Sequence, residues 1–239
     1  MPSTNEVTIV SLNLEDEALE AELAALLPAA TQARLAAFTH AARRRQTLWG
    51  RLAALAMARE RGLALVETPP YSPLLKDADG RETALSIAHT GKVIAVGAAS
   101  ETDDVMGLDI ETVRPVRSVR AMSETAFGRD IAWAADRWDE TGDLEPFFLL
   151  WGMKEAEIKL NRGGERFRLT RMTDARGTEI RPEVVDRRTG DTLAVHTRKT
   201  GRERLTVLTR REEPLYFTVT AEALARRLLS GENRYGKSR

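Results

Sequence analysis

The chain has no cysteine, which excludes a disulfide framework, thiolate catalysis and zinc–thiolate sites. It has no apolar run of the ~18 residues that a membrane-spanning helix needs. It has no net charge, with Lys plus Arg at 36 and Asp plus Glu at 36, so the molecule as a whole offers no attraction to nucleic acid or membrane. The opening MPSTNEVTIV lacks a basic stretch followed by an apolar one, so no secretory signal is expected. These absences lead to the expectation of a soluble, cytoplasmic protein. Its 239 residues suffice for one large domain or two small ones, each with its own core.

The balanced total hides a local imbalance. Between Arg34 and Arg61 lie seven arginines (34, 43, 44, 45, 51, 59 and 61) and one acid, Glu60. A solvated helix face accounts for such an excess. So does a site for a phosphate-rich ligand or an acidic protein, because Arg offers a planar fork of donors to phosphate oxygens. Along the chain, VTIVSLNL (7–14) reads as a strand, and residues 15–27 as a helix with Leu19, Leu23 and Leu26/Leu27 on one side. Residues 31–61 read as one or two helices stopped by Gly62, and the prolines of ETPPYSP (67–73) as a loop. TALSIAHT (83–90), VIAVGAAS (93–100) and VMGLDIE (105–111) read as a meander of three strands. Residues 117–139 and 144–161 read as helical, closed by Gly163-Gly164. Residues 165–220 read as strands with turns at DARG, RRTGD and RKTGR, followed by a terminal helix at 221–230 and a loose tail. This order gives an α+β class with two halves, 1–112 and 113–220, and a terminal segment 221–239. No internal repeat is visible residue by residue.

The chemistry is concentrated in two stretches. In GLDIE, strand alternation turns Leu108 and Ile110 to one face and Asp109 and Glu111 to the other, with Cα atoms about 6.5–7 Å apart. Two carboxylates at that spacing repel by ~2–3 kcal/mol at an effective dielectric near 20. Water at a strand end tolerates this; a divalent cation turns it into attraction, and Mg²⁺ prefers a few carboxylates plus substrate phosphates. In LLWGMKEAEIKL (149–160), a helix that belongs in a core carries Lys154, Glu155, Glu157 and Lys159. Glu155 and Lys159 share a face, and a simple i, i+4 ion pair is one reading. The other is a third carboxylate and a phosphate-neutralising lysine beside a metal, with Trp151 one turn earlier covering them. His89, one of three histidines, is expected at a strand end with Thr90 and Gly91, where backbone amides can face an anion.

Taken together, these pieces resemble the 4′-phosphopantetheinyl transferase superfamily, in its larger surfactin-synthetase-activating type. The family signature is similar to MGLDIE (106–111) followed, after a long spacer, by WGMKEAEIK (151–159). Its upstream Ser-His-Ser is matched loosely by Ala88-His89-Thr90, and the helix ARRRQTLWGRLAALAMAR resembles the region before it. The likeness runs from about residue 31 to 164. It implies a monomer of two similar α/β halves with pseudo-two-fold symmetry, each a small antiparallel sheet packed with helices. The implied activity is transfer of the 4′-phosphopantetheine arm of coenzyme A to a serine hydroxyl of an apo acyl or peptidyl carrier protein, releasing adenosine 3′,5′-bisphosphate. Mg²⁺ would be held by Asp109, Glu111 and Glu155. Glu155, or a water activated by the metal, would take the serine proton, and Lys159 would hold the diphosphate. His89 and Thr90 would contact coenzyme A phosphates, with Arg44, Arg45 and Arg51 as candidates for the 3′-phosphate. Where the family carries Gly-Lys-Pro this chain has YSPLLKDADGRE (71–82), leaving Lys76 as the candidate, and Glu124 lies out of register with a further family acid. Two other readings are another Mg²⁺-dependent phosphotransferase or nuclease on the same three acids, and a carrier-binding module without catalysis.

Overall fold

A run of β-branched residues makes a strand of Glu6–Ser11 (β1), whose Val7, Thr8, Ile9 and Val10 are all buried. The computed structural model describes residues 4–68, 72–101, 104–116, 118–127, 133–173, 179–210 and 212–232. Among these, none of the helices is long and apolar enough to cross a membrane. The class is α+β, and the chain divides into two units, residues 1–106 with 214–239, and residues 107–213.

In the first unit, three helices follow β1: Glu17–Ala24 (α1), Ala29–Ala36 (α2) and Ala41–Arg61 (α3). Asp16 caps α1 by accepting from the Leu19 amide. The expected one or two helices of 31–61 are α2 and α3, and Gly62 ends α3 in the left-handed conformation. Then come Ala64–Thr68 (β2), Ser72–Lys76 (β3), Glu82–Thr83 (β4), Leu85–Thr90 (β5) and Val93–Ala98 (β6). The expected loop at 67–73 is corrected here: β2 and β3 pair antiparallel from Ala64↔Lys76 to Thr68↔Ser72, and residues 69–71 lie outside the described ones. Pro73 misled the reading. It is tolerated because β4 covers only Leu75 and Lys76, so the far edge of β3 is open at Pro73.

The main sheet of this unit has the order β12-β1-β6-β5, where β12 is Leu215–Thr220. β1 and β5 both run antiparallel to β6. One pair departs from the antiparallel expectation, since β12 runs parallel to β1. The core joins Leu48, Trp49, Leu52 and Met57 of α3 to Val10, Ile94 and Val96 of the sheet. Leu224 and Leu228 of the terminal helix Ala221–Ser230 (α7) join the same cluster.

The second unit begins with Met106–Thr112 (β7), then Val119–Phe127 (α4), Trp133–Thr141 (α5) and Glu145–Asn161 (α6). Phe167–Thr173 (β8), Glu179–Asp186 (β9), Ala194–Thr200 (β10) and Glu203–Thr209 (β11) complete it. β7 is not the third strand of a meander, as its sequence suggested. It pairs with β11 in a sheet of order β10-β11-β7, while the second edge of β6 is taken by β1. β8 and β9 form a separate antiparallel ribbon; the expected DARG turn between them falls outside the described residues. The chain leaves α6 through Arg162, at φ 45°, one residue ahead of the expected Gly163-Gly164 stop.

The expected boundaries at 112/113 and 220/221 differ from those of the structure. Strand β7 belongs to the sheet of the second unit beside β11, and the segment after Glu213 returns to pair with β1 and cover α3.

Candidate active site

Two elements of the second unit build the site. Helix α6 lies against the face of β7 that carries residues 107, 109 and 111. A Cβ on Gly107 would stand 2.6 Å from the Ala156 carbonyl oxygen and 2.6 Å from Leu160 Cγ. A Cβ on Gly152 would stand 2.5 Å from Thr206 Oγ1 on β11. The two glycines therefore let the helix backbone approach the sheet more closely than any side chain allows.

This approach changes the environment of the GLDIE acids. Leu108 and Ile110 are buried as expected, but Asp109 is buried too, at 6% exposure. Lys159 reaches down from α6 and donates to Asp109 Oδ1 at 2.7 Å and to the Leu108 carbonyl at 3.1 Å. Lys159 thus pairs with Asp109, and Glu155 makes no hydrogen bond or ion pair among the described residues. The simple Glu155–Lys159 pair is absent. The other oxygen of Asp109, Oδ2, is buried and has no hydrogen-bond partner among the described residues.

Glu111 records how closely the charges gather. Burial first, and then the neighbouring Asp109 carboxylate, push its carboxyl up to about 7; Glu155 adds to the rise, while the Trp151 indole N–H hydrogen bond and the Lys159 charge oppose it. Trp151, expected to cover the acids, holds one of them directly. Its ring is itself fixed by edge contacts to Phe127 at 6.2 Å and by Phe147 at 5.9 Å.

The structure thus brings Asp109, Glu111, Glu155, Lys159 and Trp151 into one electrostatic neighbourhood. The acids do not form a closed cage: among the described residues no group of three or more His, Asp or Glu side chains is arranged to hold an ion as it stands. The donor set nonetheless suits a hard divalent cation. It is all oxygen, one oxygen is buried with no hydrogen-bond partner among the described residues, and one carboxyl is pushed up to about 7 by burial and then by its anionic neighbours.

The other charges of α6 have structural work. Glu157, buried at 5% exposure, accepts from Lys154 at 2.8 Å and from the Leu169 amide of β8 at 3.2 Å. Sequence reasoning gave Glu157 no role. Its position one face away from Glu155 was the available signal, but its partner on β8 was not visible.

Apart from Lys159, the phosphate-binding candidates all lie in the first unit. His89 and Thr90 end β5 beside the Gly91-Lys92 turn, as expected, with His89 exposed. Helix α3 meets that turn through Gln46, which donates to the Gly91 carbonyl at 2.9 Å. Glu15 bridges Arg45 at 3.1 Å and Lys92 at 3.5 Å, and Glu20 holds Arg45 at 2.6 Å. Arg44 stands exposed beside this cluster. Lys92, which the sequence reading passed over, belongs to it.

Arg51 and Lys76 are engaged elsewhere. Arg51 is buried against Glu67, which also accepts from Thr31 and Arg34, so its fork fastens α3 to β2 instead of facing solvent. Lys76 pairs with Glu82 across β3 and β4 at 3.2 Å. Glu124 is exposed on α4. No family model matches the chain, and neither does any curated protein.

Proposed function

We propose that this chain is a 4′-phosphopantetheinyl transferase, moving the phosphopantetheine arm of coenzyme A to a serine hydroxyl of an apo acyl or peptidyl carrier protein. The observation that carries this reading is the convergence of Asp109, Glu111 and Glu155 with Lys159, from two segments whose spelling and order resemble that family. In this reading the protein is a cytoplasmic monomer of two related halves. In support, each unit lays a long helix, α3 or α6, on a small sheet containing an antiparallel hairpin.

Asp109, Glu111 and Glu155 would hold Mg²⁺, which when bound supplies positive charge to the diphosphate oxygens. Phosphoryl-type transfer depends on positioning and charge neutralisation more than on covalent help, so a chain without its own nucleophile suits it. The acceptor serine oxygen forms a bond to the β-phosphorus of coenzyme A. The bond to the bridging oxygen breaks, and adenosine 3′,5′-bisphosphate leaves with that electron pair. Glu155, free of an ion pair, accepts the serine proton. Lys159 holds Asp109 by an ion pair and offers its remaining donor to a phosphate oxygen. Trp151 fixes the rotamer of Glu111. His89, Thr90, Arg44 and Arg45 are the candidates for the nucleotide phosphates.

The test is a mass measurement. Apo carriers of fatty-acid, polyketide and nonribosomal-peptide type are incubated with coenzyme A, Mg²⁺ and the protein. A phosphopantetheine mass gain is expected on at least one of them. Asp109→Asn and Glu155→Gln are each expected to lower the rate by about 10²-fold or more, with the melting temperature little changed in Glu155→Gln. No gain on any carrier, or near-normal rates in both variants, overturns the reading.

A further inference from the structure

Asp109 is paired differently from two other buried acids of this chain. Glu67 has both carboxylate oxygens taken, Oε1 by Arg34 and Arg51 and Oε2 by Thr31 and Arg51. Asp186 is saturated in the same way, Oδ1 by Arg166 and the Arg188 amide, Oδ2 by Arg166 and Arg210. In both, arginine forks close an acid whose work is structural. The Asp109 side chain is also buried, at 8% exposure, but its partner is a lysine, and that lysine takes only Oδ1. Its Oδ2 is buried with no hydrogen-bond partner among the described residues. A buried carboxylate held on one side and left open on the other is poorly explained by structure alone.

The lysine is anchored at its root and mobile at its tip. Lys159 donates to Asp109 Oδ1 and to the Leu108 carbonyl, which uses two of its three N–H bonds. On α6 it stands between Ala156 and Leu160, the two residues that Gly107 lets down onto β7, so its backbone is held against the strand. Its side chain is 28% exposed and carries a point charge on a flexible four-carbon stem. The ammonium can therefore leave Asp109 with no movement of the helix, which the arginine forks on Glu67 and Asp186 cannot do at equal ease. While it stays, it satisfies a buried charge that is costly alone. It also competes with a divalent cation for the same carboxylate.

We propose that Lys159 is a place-holding cation: it occupies Asp109 until a phosphate takes up its free N–H, then turns to the phosphate and cedes the carboxylate to a divalent cation. Cation and phosphate ligand then each bind more tightly in the presence of the other, by the same factor, and Lys159 sets part of that factor. The site is completed by the two together, and neither alone displaces the lysine. The inference rests on the transferase reading for the identity of the phosphate ligand, coenzyme A, but not for the competition between lysine and cation.

The test reads binding, not turnover. Mn²⁺, a paramagnetic stand-in for Mg²⁺, is titrated at pH 8 with the free ion followed by electron paramagnetic resonance, without and with saturating coenzyme A. Wild type, Lys159→Met and Lys159→Gln are compared. Without coenzyme A, Lys159→Met is expected to bind Mn²⁺ about tenfold more tightly than the wild type. With coenzyme A that advantage should vanish, because the wild-type lysine has turned away. Lys159→Gln keeps a hydrogen-bond donor but no charge, should behave as Lys159→Met does, and decides the matter if Lys159→Met does not fold. Mn²⁺ affinity unchanged or weakened in both neutral variants overturns the inference. So does equal tightening by coenzyme A in all three proteins, or a wild type that binds no Mn²⁺. A wild type that transfers to no carrier fails the transferase reading but not this one; inorganic pyrophosphate then replaces coenzyme A, under the same criteria.

Discussion

Glu111 and Glu67 are two hidden carboxylates that burial and partners drive in opposite directions. At Glu111 burial dominates and the adjacent Asp109 reinforces it, so the carboxyl rises from 4.5 to about 7. At Glu67 burial also pushes upward, but hydrogen bonds from Arg51, Thr31 and Arg34 together outweigh it and hold the group below its ordinary value. The consequences for stability have opposite signs. Between about pH 4.5 and 7 the native state binds more protons at Glu111 than the unfolded chain does, so metal-free stability falls as pH rises through that window. Thermal melts at pH 5 to 8 should show this slope in the wild type and a flatter one in Glu111→Gln. Added Mg²⁺ should raise the melting temperature more at pH 8, where Glu111 is ionised, than at pH 6; an equal rise at both would show that Glu111 takes no part in binding the ion. Glu67 contributes stability that is present above its unfolded value and lost as pH falls through its lowered one. Glu67→Gln breaks a buried ion pair and should cost about 3 kcal/mol at pH 7, a gap that closes in acid. At this scale the spelling of GLDIE and KEAEIK sufficed to single out Asp109, Glu111, Glu155 and Lys159, which the fold brings near one another. It did not suffice for Arg51, whose acid arrives from β2, or for Glu157, whose partner is a backbone amide on β8. Residue type shows what a side chain can bond, and only the tertiary neighbour decides which bond it makes.

At the scale of the element, the site depends on how closely α6 approaches its sheet. Gly107 faces a backbone carbonyl and Gly152 faces a threonine side chain, and these obstacles differ in kind. A methyl at Gly107 can be accommodated only by moving the helix backbone, whereas Thr206 can turn away from one at Gly152. Gly107→Ala should therefore be the costlier change, with overpacking of about 2–3 kcal/mol against about 1 kcal/mol for Gly152→Ala. Chemical denaturation measures the difference, and Thr206→Ala should relieve Gly152→Ala but not Gly107→Ala. Because the same approach sets the Lys159–Asp109 contact, Gly107→Ala should also lower the proposed transfer activity beyond what its stability loss explains. Helices α3, α6 and α7 were legible because apolar spacing and stop signals are local. The β2–β3 ladder and the partner of β7 were not, because a strand carries no mark of which edge it will join. Pro73 argued against a strand on grounds that hold only where both edges are paired.

At the scale of the molecule, the first unit is closed by a segment that returns after the second has been made. β12 pairs with β1 over six residue pairs, from Glu6↔Leu215 to Ser11↔Thr220. Helix α7 then buries Leu224 and Leu228 against the α3 core, where Arg227 pairs with Glu60 at 3.1 Å and Arg59 donates to the Leu228 carbonyl at 3.0 Å. A reading that walks along the sequence cuts the chain into contiguous pieces, and it set α7 apart as an appendage for that reason. The energetics place it in the core. Full burial of two leucines contributes about 3–6 kcal/mol, a large share of the about 5–15 kcal/mol that holds a typical protein folded. A chain ending at Glu213 should therefore lose its first unit. Hydrogen exchange should show the amides of β1 and α3 unprotected, while β8, β9 and β11 keep their protection. Leu228→Ala, which leaves β12 in place, should weaken the same amides by about 2–5 kcal/mol without abolishing them. Undiminished protection of α3 in the shortened chain would show that the returning segment is dispensable and that the core of the first unit is complete without it.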